Sequence, residues 1–239
     1  MEIDVFTGLN GIPDEVINNK TIIVIDVLRA TTTIAVALAS GCLEVIPVLT
    51  PEEAIEMRER LGDERVLLGG ERNALKIPGF DLGNSPMEYT PEVVGGKRLI
   101  MTTTNGTRAI RRAAGGRQVF LGALVNAPAV AGQAAAAEGD ITIICAGTRD
   151  RFSLEDFLAA GFLVDRLAGQ GQFILRDGAL AARDYYYLHR DNLLAAMKGS
   201  FHGRLLMDLG LEADVEFCSR VGAIDVVPVY GGGIIKKAA

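Results

Sequence analysis

Short runs of aliphatic residues alternate along the chain with longer segments of helical spacing. Residues 22–25 and 141–145 are largely aliphatic runs bounded by polar residues or glycine, and residues 97–101 end in a shorter one, which is typical of strands buried on both faces. Residues 50–61 begin with Thr-Pro-Glu-Glu and end before Gly62, which predicts a capped helix. The alternation predicts an α/β fold with three α/β/α layers around a mainly parallel or mixed central sheet.

Three polar turns follow predicted strands and lead into predicted helices, at residues 26–33, 102–107 and 145–153. The first two echo each other, because each joins an aliphatic strand to three threonines, a short helix and glycine. The carboxyl ends of parallel strands lie at one edge of a sheet, so we expect the three turns to converge there. Residues 69–96 have little predicted regular structure and are a candidate fourth wall.

Composition restricts the classes of function. The 24 basic and 30 acidic residues give a net charge of −6, so we expect no nucleic-acid partner. No apolar stretch of about 18 residues is present, so no membrane partner is expected. The 3 scattered cysteines predict free thiols and a cytoplasmic location.

Length and hydrophobicity suggest how the chain is organised. With 239 residues, 49% of them hydrophobic, the chain is long enough to bury a full core. We expect a single domain over residues 1–239, with a late helical subregion at about 178–210. The apolar content favours a homo-oligomer, most simply a dimer.

Carboxylates near strand ends are candidates for a metal site. Asp26 directly follows a buried strand, where a charge is costly unless it is paired, for example with Arg29, or bound to a metal. Glu71, Glu155 and Asp156 are the other candidate ligands, although Asp156 also fits a helix-capping pattern. Hard oxygen ligands suit Mg²⁺, which is the expected cofactor. Asp26, Arg29 and Glu155 are the expected catalytic residues.

Arginines and the polar turns are candidates for binding an anionic substrate. Guanidinium groups match two oxygens at once, which favours Arg29 and Arg72. Helix starts offer backbone N–H and hydroxyl donors, and helix capping is the alternative role for each threonine. His189 and His202 lie in late helical segments and are expected to be structural or exposed. The predicted substrate-binding residues are Arg29, Thr31, Thr32, Arg72, Thr103, Thr104, Asn105 and Gly147.

Five short motifs carry a family resemblance: IDVLRATTT (25–33), GER (70–72), GNSP (83–86), TTTNGT (102–107), and CAG with RFSLEDFLAAG (145–161). Together they resemble the 2-phosphosulfolactate phosphatases over about residues 20–165, and VVPVY at 226–230 adds to the similarity. The resemblance implies a three-layer α/β fold and a magnesium-dependent phosphatase. Such an enzyme hydrolyses 2-phosphosulfolactate, a small anionic phosphorylated substrate, to 3-sulfolactate and phosphate. In some organisms that step lies on the route to coenzyme M.

Two other functions fit parts of the pattern. Cys145 and Arg151 have the spacing C-x5-R between a strand and a helix, which resembles the phosphate loop of cysteine-dependent phosphatases. The loop lacks the preceding histidine of that family and has only Gly147 to ease its turn. The second alternative is a non-catalytic protein that binds an anionic metabolite at its helix N-termini.

Overall fold

A computed structural model describes residues 1–149 and 151–238, and within them the strands form one 11-stranded sheet. The strands are β1 (Glu2–Phe6), β2 (Thr21–Ile25), β3 (Glu44–Pro47), β4 (Val66–Arg72), β5 (Leu75–Lys76), β6 (Arg98–Thr102), β7 (Gln118–Gly122), β8 (Ile141–Cys145), β9 (Ile174–Leu175), β10 (Pro228–Gly231) and β11 (Ile234–Lys237). The helices are α1 (Ala30–Ala39), α2 (Pro51–Leu61), α3 (Pro91–Val94), α4 (Gly106–Arg112), α5 (Ala127–Ala136), α6 (Leu154–Ala168), α7 (Asp177–His189), α8 (Leu193–Gly199), α9 (Phe201–Asp208) and α10 (Glu212–Cys218).

The sheet contains two groups of parallel strands. One group is β4, β6 and β3, and the other is β7, β2, β8, β1 and β9. The C-terminal hairpin of β10 and β11 lies between β3 and β7 and pairs antiparallel with both. Its own two strands are also antiparallel. Because three successive antiparallel pairings separate β3 from β7, the two parallel groups run in opposite directions.

Both faces of the sheet are covered. In β2, Ile23 and Ile25 pack in a core that includes residues of α5 and α6. The alternate residues Ile22 and Val24 point to the other face and pack with residues of α1 and α4. Every residue of β2 is buried, as expected for a strand enclosed on both sides. The predicted α/β fold, with a mixed, mainly parallel sheet between two helical layers, is confirmed.

Helices α1 and α4 connect the two parallel groups. Helix α1 follows β2 of the second group and leads to β3 of the first, whereas α4 follows β6 of the first group and leads to β7 of the second. Their N-terminal turns meet, because a Cβ placed on Gly106 would lie only 2.5 Å from the Cβ of Ala30. Glycine at this position therefore permits the close approach of the two helix starts.

Two regions have more elements than the pattern predicts. The expected loop at 69–96 includes the end of β4, its hairpin with β5, and α3. The late helical stretch corresponds to α7, α8 and α9, and α10 follows. The side chain of Asn192 accepts from the Ala195 N–H at 3.1 Å and starts α8 as a separate helix.

The single-domain assignment stays a prediction. No helix among the described residues is long and apolar enough to span a bilayer.

Candidate active site

A cavity of about 140 Å³, called here the acidic cavity, opens where the polar turns meet. The turns after β2, β6 and β8, the β4–β5 hairpin and helix α9 all contribute to it. Its lining residues are Asp26, Leu28, Arg29, Glu71, Asn73, Ala74, Asn84, Thr104, Asn105, Thr148, Arg149, Phe201, His202 and Leu205.

The three polar turns meet, but they do not all lie at the same edge of the sheet. Strands β2 and β8 are parallel neighbours, so the turns that follow them share one edge of the sheet. Strand β6 belongs to the oppositely directed group, so the expectation that all three turns share that edge is wrong. The turn after β6 reaches the cavity because α1 and α4 meet at their N-termini. A Cβ on Gly106 would lie 2.7 Å from Oδ2 of Asp26.

Threonine hydroxyls hold the two similar turns in the same way. Thr31 Oγ1 accepts from the Asp26 N–H at 3.1 Å and donates to the Asp26 carbonyl at 2.9 Å. Thr107 Oγ1 makes the same two bonds to Thr103, at 3.1 and 3.0 Å. Thr32 donates to a carbonyl of its own turn at 2.8 Å. The hydroxyls of Thr31, Thr32 and Thr103 thus bond local groups and none of the three residues lines the cavity, so their contacts with a substrate stay a prediction.

Asp26 lies in an environment that disfavours its charge. It is only 7% exposed, and its Oδ1 accepts from the Ala30 N–H at 3.4 Å. Burial, followed by the negative charges of Glu71 and Glu155, raises the pKa of Asp26 from 3.8 to about 7. A buried carboxylate among like charges is the arrangement that a bound cation stabilises.

Two buried charged residues of the cavity, Glu71 and Arg29, form hydrogen bonds with Ala74 in the β4–β5 turn. Glu71 accepts from the Thr104 N–H at 2.7 Å and from the Ala74 N–H at 2.8 Å. Arg29 donates to the Ala74 carbonyl at 2.7 Å and to the carboxylate of Asp214 at 2.6 Å. The Nε of Arg29 is buried and has no partner within the described residues. The expected alternative partner of Arg29, Asp26, is thus replaced by Asp214, which follows it by 185 residues.

Asp156 connects the turns after β2 and β8. Its two oxygens accept from the N–H groups of Val27 at 2.9 Å and Gly147 at 3.1 Å. Burial and the charges of Asp26 and Glu155 raise the pKa of Asp156 well above its ordinary value. Gly147 contributes its N–H to this carboxylate and does not line the acidic cavity. These bonds give Asp156 a positioning role, and its role as a metal ligand stays a prediction.

Arg72 does not line the acidic cavity, and its expected role as a substrate clamp stays a prediction. Its guanidinium donates to the backbone carbonyls of Glu71 and Leu49 and to the hydroxyl of Thr102. Arg149 lies at the cavity instead. It donates from Nη2 to Asn73 Oδ1 at 2.9 Å and from its backbone N–H to Asn105 Oδ1 at 3.0 Å. The sequence predicted that the turn at residues 145–153 lies at the site, but it did not identify Arg149 within that turn.

His202 is a cavity residue that sequence reasoning missed. It lies on α9 and borders the acidic cavity, whereas His189 packs against the ring of Tyr185 with centroids 4.6 Å apart. Burial lowers the pKa of His202 from its ordinary value, which favours the neutral form of the imidazole. Its Nδ1, Asn84 Oδ1 and Thr104 Oγ1 are buried without hydrogen-bond partners in the described part of the chain. Three unsatisfied polar atoms around one cavity indicate a polar ligand.

The carboxylates fit Mg²⁺ by their chemistry. Across residues 1–149 and 151–238, no group of three or more His, Cys, Asp or Glu side chains is arranged to hold a metal ion. Mg²⁺ does not need such a group, because one or two carboxylates commonly bind it together with waters and substrate phosphate oxygens. Asp26 and Glu71 line the acidic cavity, and Glu155 is close enough for its charge to act on Asp26.

The cysteine-dependent alternative is not supported. Cys145 is only 1% exposed, packs in a hydrophobic core and does not line the acidic cavity. Burial, with the charges of Asp156 and Glu155, raises the pKa of the Cys145 thiol well above its ordinary value. A neutral, enclosed thiol is a poor nucleophile. Arg151, its expected partner, is exposed.

Comparisons with known proteins agree with the motifs. Residues 9–233 match the protein family described as 2-phosphosulpholactate phosphatase. A probable 2-phosphosulfolactate phosphatase of Symbiobacterium thermophilum is 46% identical over 92% of this chain and 95% of that protein. Proteins of the same description from Caldanaerobacter subterraneus and Clostridium acetobutylicum are 43% and 41% identical. They cover 100% and 98% of this chain, and 99% and 100% of their own lengths.

Proposed function

Since the chain belongs to the 2-phosphosulpholactate phosphatase family, we propose that it is a magnesium-dependent phosphoric monoester hydrolase. Its substrate is 2-phosphosulfolactate, and its products are 3-sulfolactate and phosphate. The observation that carries this proposal is the buried carboxylate of Asp26, held among other acidic groups at a cavity with unsatisfied polar atoms. Such a cavity is suited to a cation and a phosphorylated ligand together.

The chemical problem is the charge of the ester. A phosphate monoester dianion repels an attacking nucleophile, so catalysis requires positive charge around the phosphoryl oxygens. Asp26 and Glu71 would hold Mg²⁺, and Glu155 would add negative charge from the side of α6. When bound, Mg²⁺ supplies positive charge that offsets the charge of the phosphoryl oxygens.

The remaining polar groups bind and orient the substrate. The Nε of Arg29 and the hydroxyl of Thr104 would donate to phosphoryl oxygens. Asp214 and Ala74 hold the other two nitrogens of the Arg29 guanidinium, which fixes the direction of Nε. The neutral imidazole of His202 offers one further hydrogen bond to the substrate.

The cellular setting is part of the same proposal. The three cysteines are free and buried, which supports a reducing cytoplasm. We also propose a homodimer, because large apolar side chains outside the cavities, such as Ile174 and Leu188, are exposed. No nucleic acid takes part.

Phosphate release from 2-phosphosulfolactate tests the proposal directly. The rate is measured with added Mg²⁺, with EDTA, and with Mg²⁺ restored after EDTA. We expect turnover in the first and third conditions and a loss of more than about tenfold with EDTA. Asp184→Asn is the control for Asp26→Asn, because Asp184 is exposed on α7 and does not line the acidic cavity. Only Asp26→Asn is expected to lose activity.

Other outcomes identify the competing functions. Turnover that is indifferent to EDTA but lost in Cys145→Ser would establish the thiolate mechanism. Tight binding of 2-phosphosulfolactate with no release of phosphate, whatever the metal, would make the protein a metabolite-binding protein. Either result would overturn the proposed function.

A further inference from the structure

A second cavity, of about 610 Å³, adjoins the acidic cavity. The two share Thr148, Arg149, Phe201 and His202. We call the second cavity the arginine antechamber, because Arg149, Arg151 and Arg204 line it together with a single described carboxylate, that of Glu155. The acidic cavity is lined by two carboxylates, Asp26 and Glu71, and by two arginines, whereas the antechamber is lined by three arginines and one carboxylate.

The arginines of the antechamber are available to a ligand. Arg151 is exposed, and its guanidinium forms no ion pair within the described ranges. Arg204 is also exposed and uses one nitrogen on the Gly199 carbonyl. A guanidinium has five N–H donors, so most of the donors of Arg151 and Arg204 are unused. This contrasts with Arg29, whose buried guanidinium is paired with Asp214.

Apolar side chains lie beside these charges. Phe152 is 49% exposed and Phe201 is 71% exposed, and both line the antechamber. Apolar walls displace water and lower the local dielectric, which strengthens an ionic contact to a guanidinium. The antechamber therefore combines the features of an anion-binding site that is open to solvent on one side.

We propose that the arginine antechamber binds the carboxylate and sulfonate end of the substrate while the phosphoryl group occupies the acidic cavity. This inference rests on the proposed function, which supplies a substrate with three anionic groups. Three arginines against one carboxylate give the antechamber an excess of positive charge, which attracts anionic groups, whereas the arginines of the acidic cavity are matched by the carboxylates of Asp26 and Glu71. Arg151 and Arg204 are then specificity-determining residues, because they contact the part of the substrate that does not react.

The test compares three phosphate monoesters that differ in the charge of the tail. 2-Phosphosulfolactate has a carboxylate and a sulfonate, 2-phospholactate has only a carboxylate, and isopropyl phosphate has neither. We expect kcat/KM of the wild type to fall with each anionic group removed. Arg151→Gln and Arg204→Gln should each reduce the preference for 2-phosphosulfolactate over isopropyl phosphate by about tenfold or more. Their kcat/KM for isopropyl phosphate should stay within about twofold of the wild type.

The matched control is Arg60→Gln. Arg60 is an exposed arginine of α2 and lines neither cavity, so its removal changes net charge without touching the antechamber. Its preference among the three esters should equal that of the wild type. An unchanged preference in both Arg151→Gln and Arg204→Gln, or an equal loss for all three esters, would overturn the antechamber proposal.

Binding of 3-sulfolactate, measured by calorimetry in EDTA, separates this proposal from the proposed function. The wild type should bind it, and each antechamber variant should bind it about tenfold or more weakly. A wild type that hydrolyses none of the esters would overturn the proposed function, and the calorimetry would then decide whether the antechamber binds anions. Equal binding by wild type and variants would refute it.

Discussion

Replacing Asp26 by Asn should stabilise the metal-free protein while it removes activity. The pKa of Asp26 is raised from 3.8 to about 7 in the folded protein, so the folded state binds a proton more tightly than the unfolded state. Its contribution to stability is full below about pH 4 and is lost as pH rises through 7. At about 1.4 kcal/mol for each pKa unit, the complete loss is about 4 kcal/mol.

The assay is urea unfolding in EDTA, followed by circular dichroism at several pH values between 4 and 8. Asparagine cannot ionise and keeps an oxygen that can accept from the Ala30 N–H. Asp26→Asn should therefore match the wild type near pH 4 and exceed its free energy of unfolding by up to about 4 kcal/mol at pH 8. Added Mg²⁺ should stabilise the wild type at pH 8 and have little effect on the variant.

The same unfolding measurements also provide the results that would refute this prediction for Asp26→Asn. A variant that is less stable than the wild type at pH 8 in EDTA would show that the Asp26 charge is already compensated in the metal-free protein. Asp184→Asn should leave the stability unchanged at every pH, because that side chain is exposed. A shift of similar size in this control would mean that net charge, not burial, causes the effect.

Three further predictions concern positioning, the thiol and the backbone. Asp214→Asn should lower the free energy of unfolding by about 3 kcal/mol, measured by urea unfolding. The reason is that Arg29, which is paired with Asp214 at 2.6 Å, stays buried without its counter-charge. A loss below about 1 kcal/mol would contradict this prediction. Cys145→Ser should keep phosphate release in Mg²⁺ within a few-fold of the wild type, since the thiol is buried and neutral; abolished turnover would restore the thiolate mechanism. Gly147→Ala should lower the free energy of unfolding by about 1–3 kcal/mol. The φ of Gly147 is 72°, and a Cβ at this position would lie 2.4 Å from the carbonyl oxygen of Arg151. A melting temperature equal to that of the wild type would refute this prediction.

The strand, turn and helix units could be predicted from the sequence because their determinants are local. Burial on both faces makes β2 and β8 continuous aliphatic runs. Thr31 and Thr107 bond groups only four or five residues away, so the two turns have the same form wherever the chain carries them. The position of Asp26 directly after a buried strand was likewise sufficient to identify it as a candidate ligand.

Only the tertiary structure decided how these units are assembled. The hairpin of β10 and β11 inserts between β3 and β7 and sets the two parallel groups in opposite directions. The pairing of Arg29 with Asp214 and the placement of His202 at the cavity join segments that are far apart in the chain. Such contacts follow from strand order and helix packing, and no local periodicity encodes them. For that reason the sequence identified Arg29 and the candidate acidic residues, whereas the presence of Arg149 and His202 at the cavity required the folded chain.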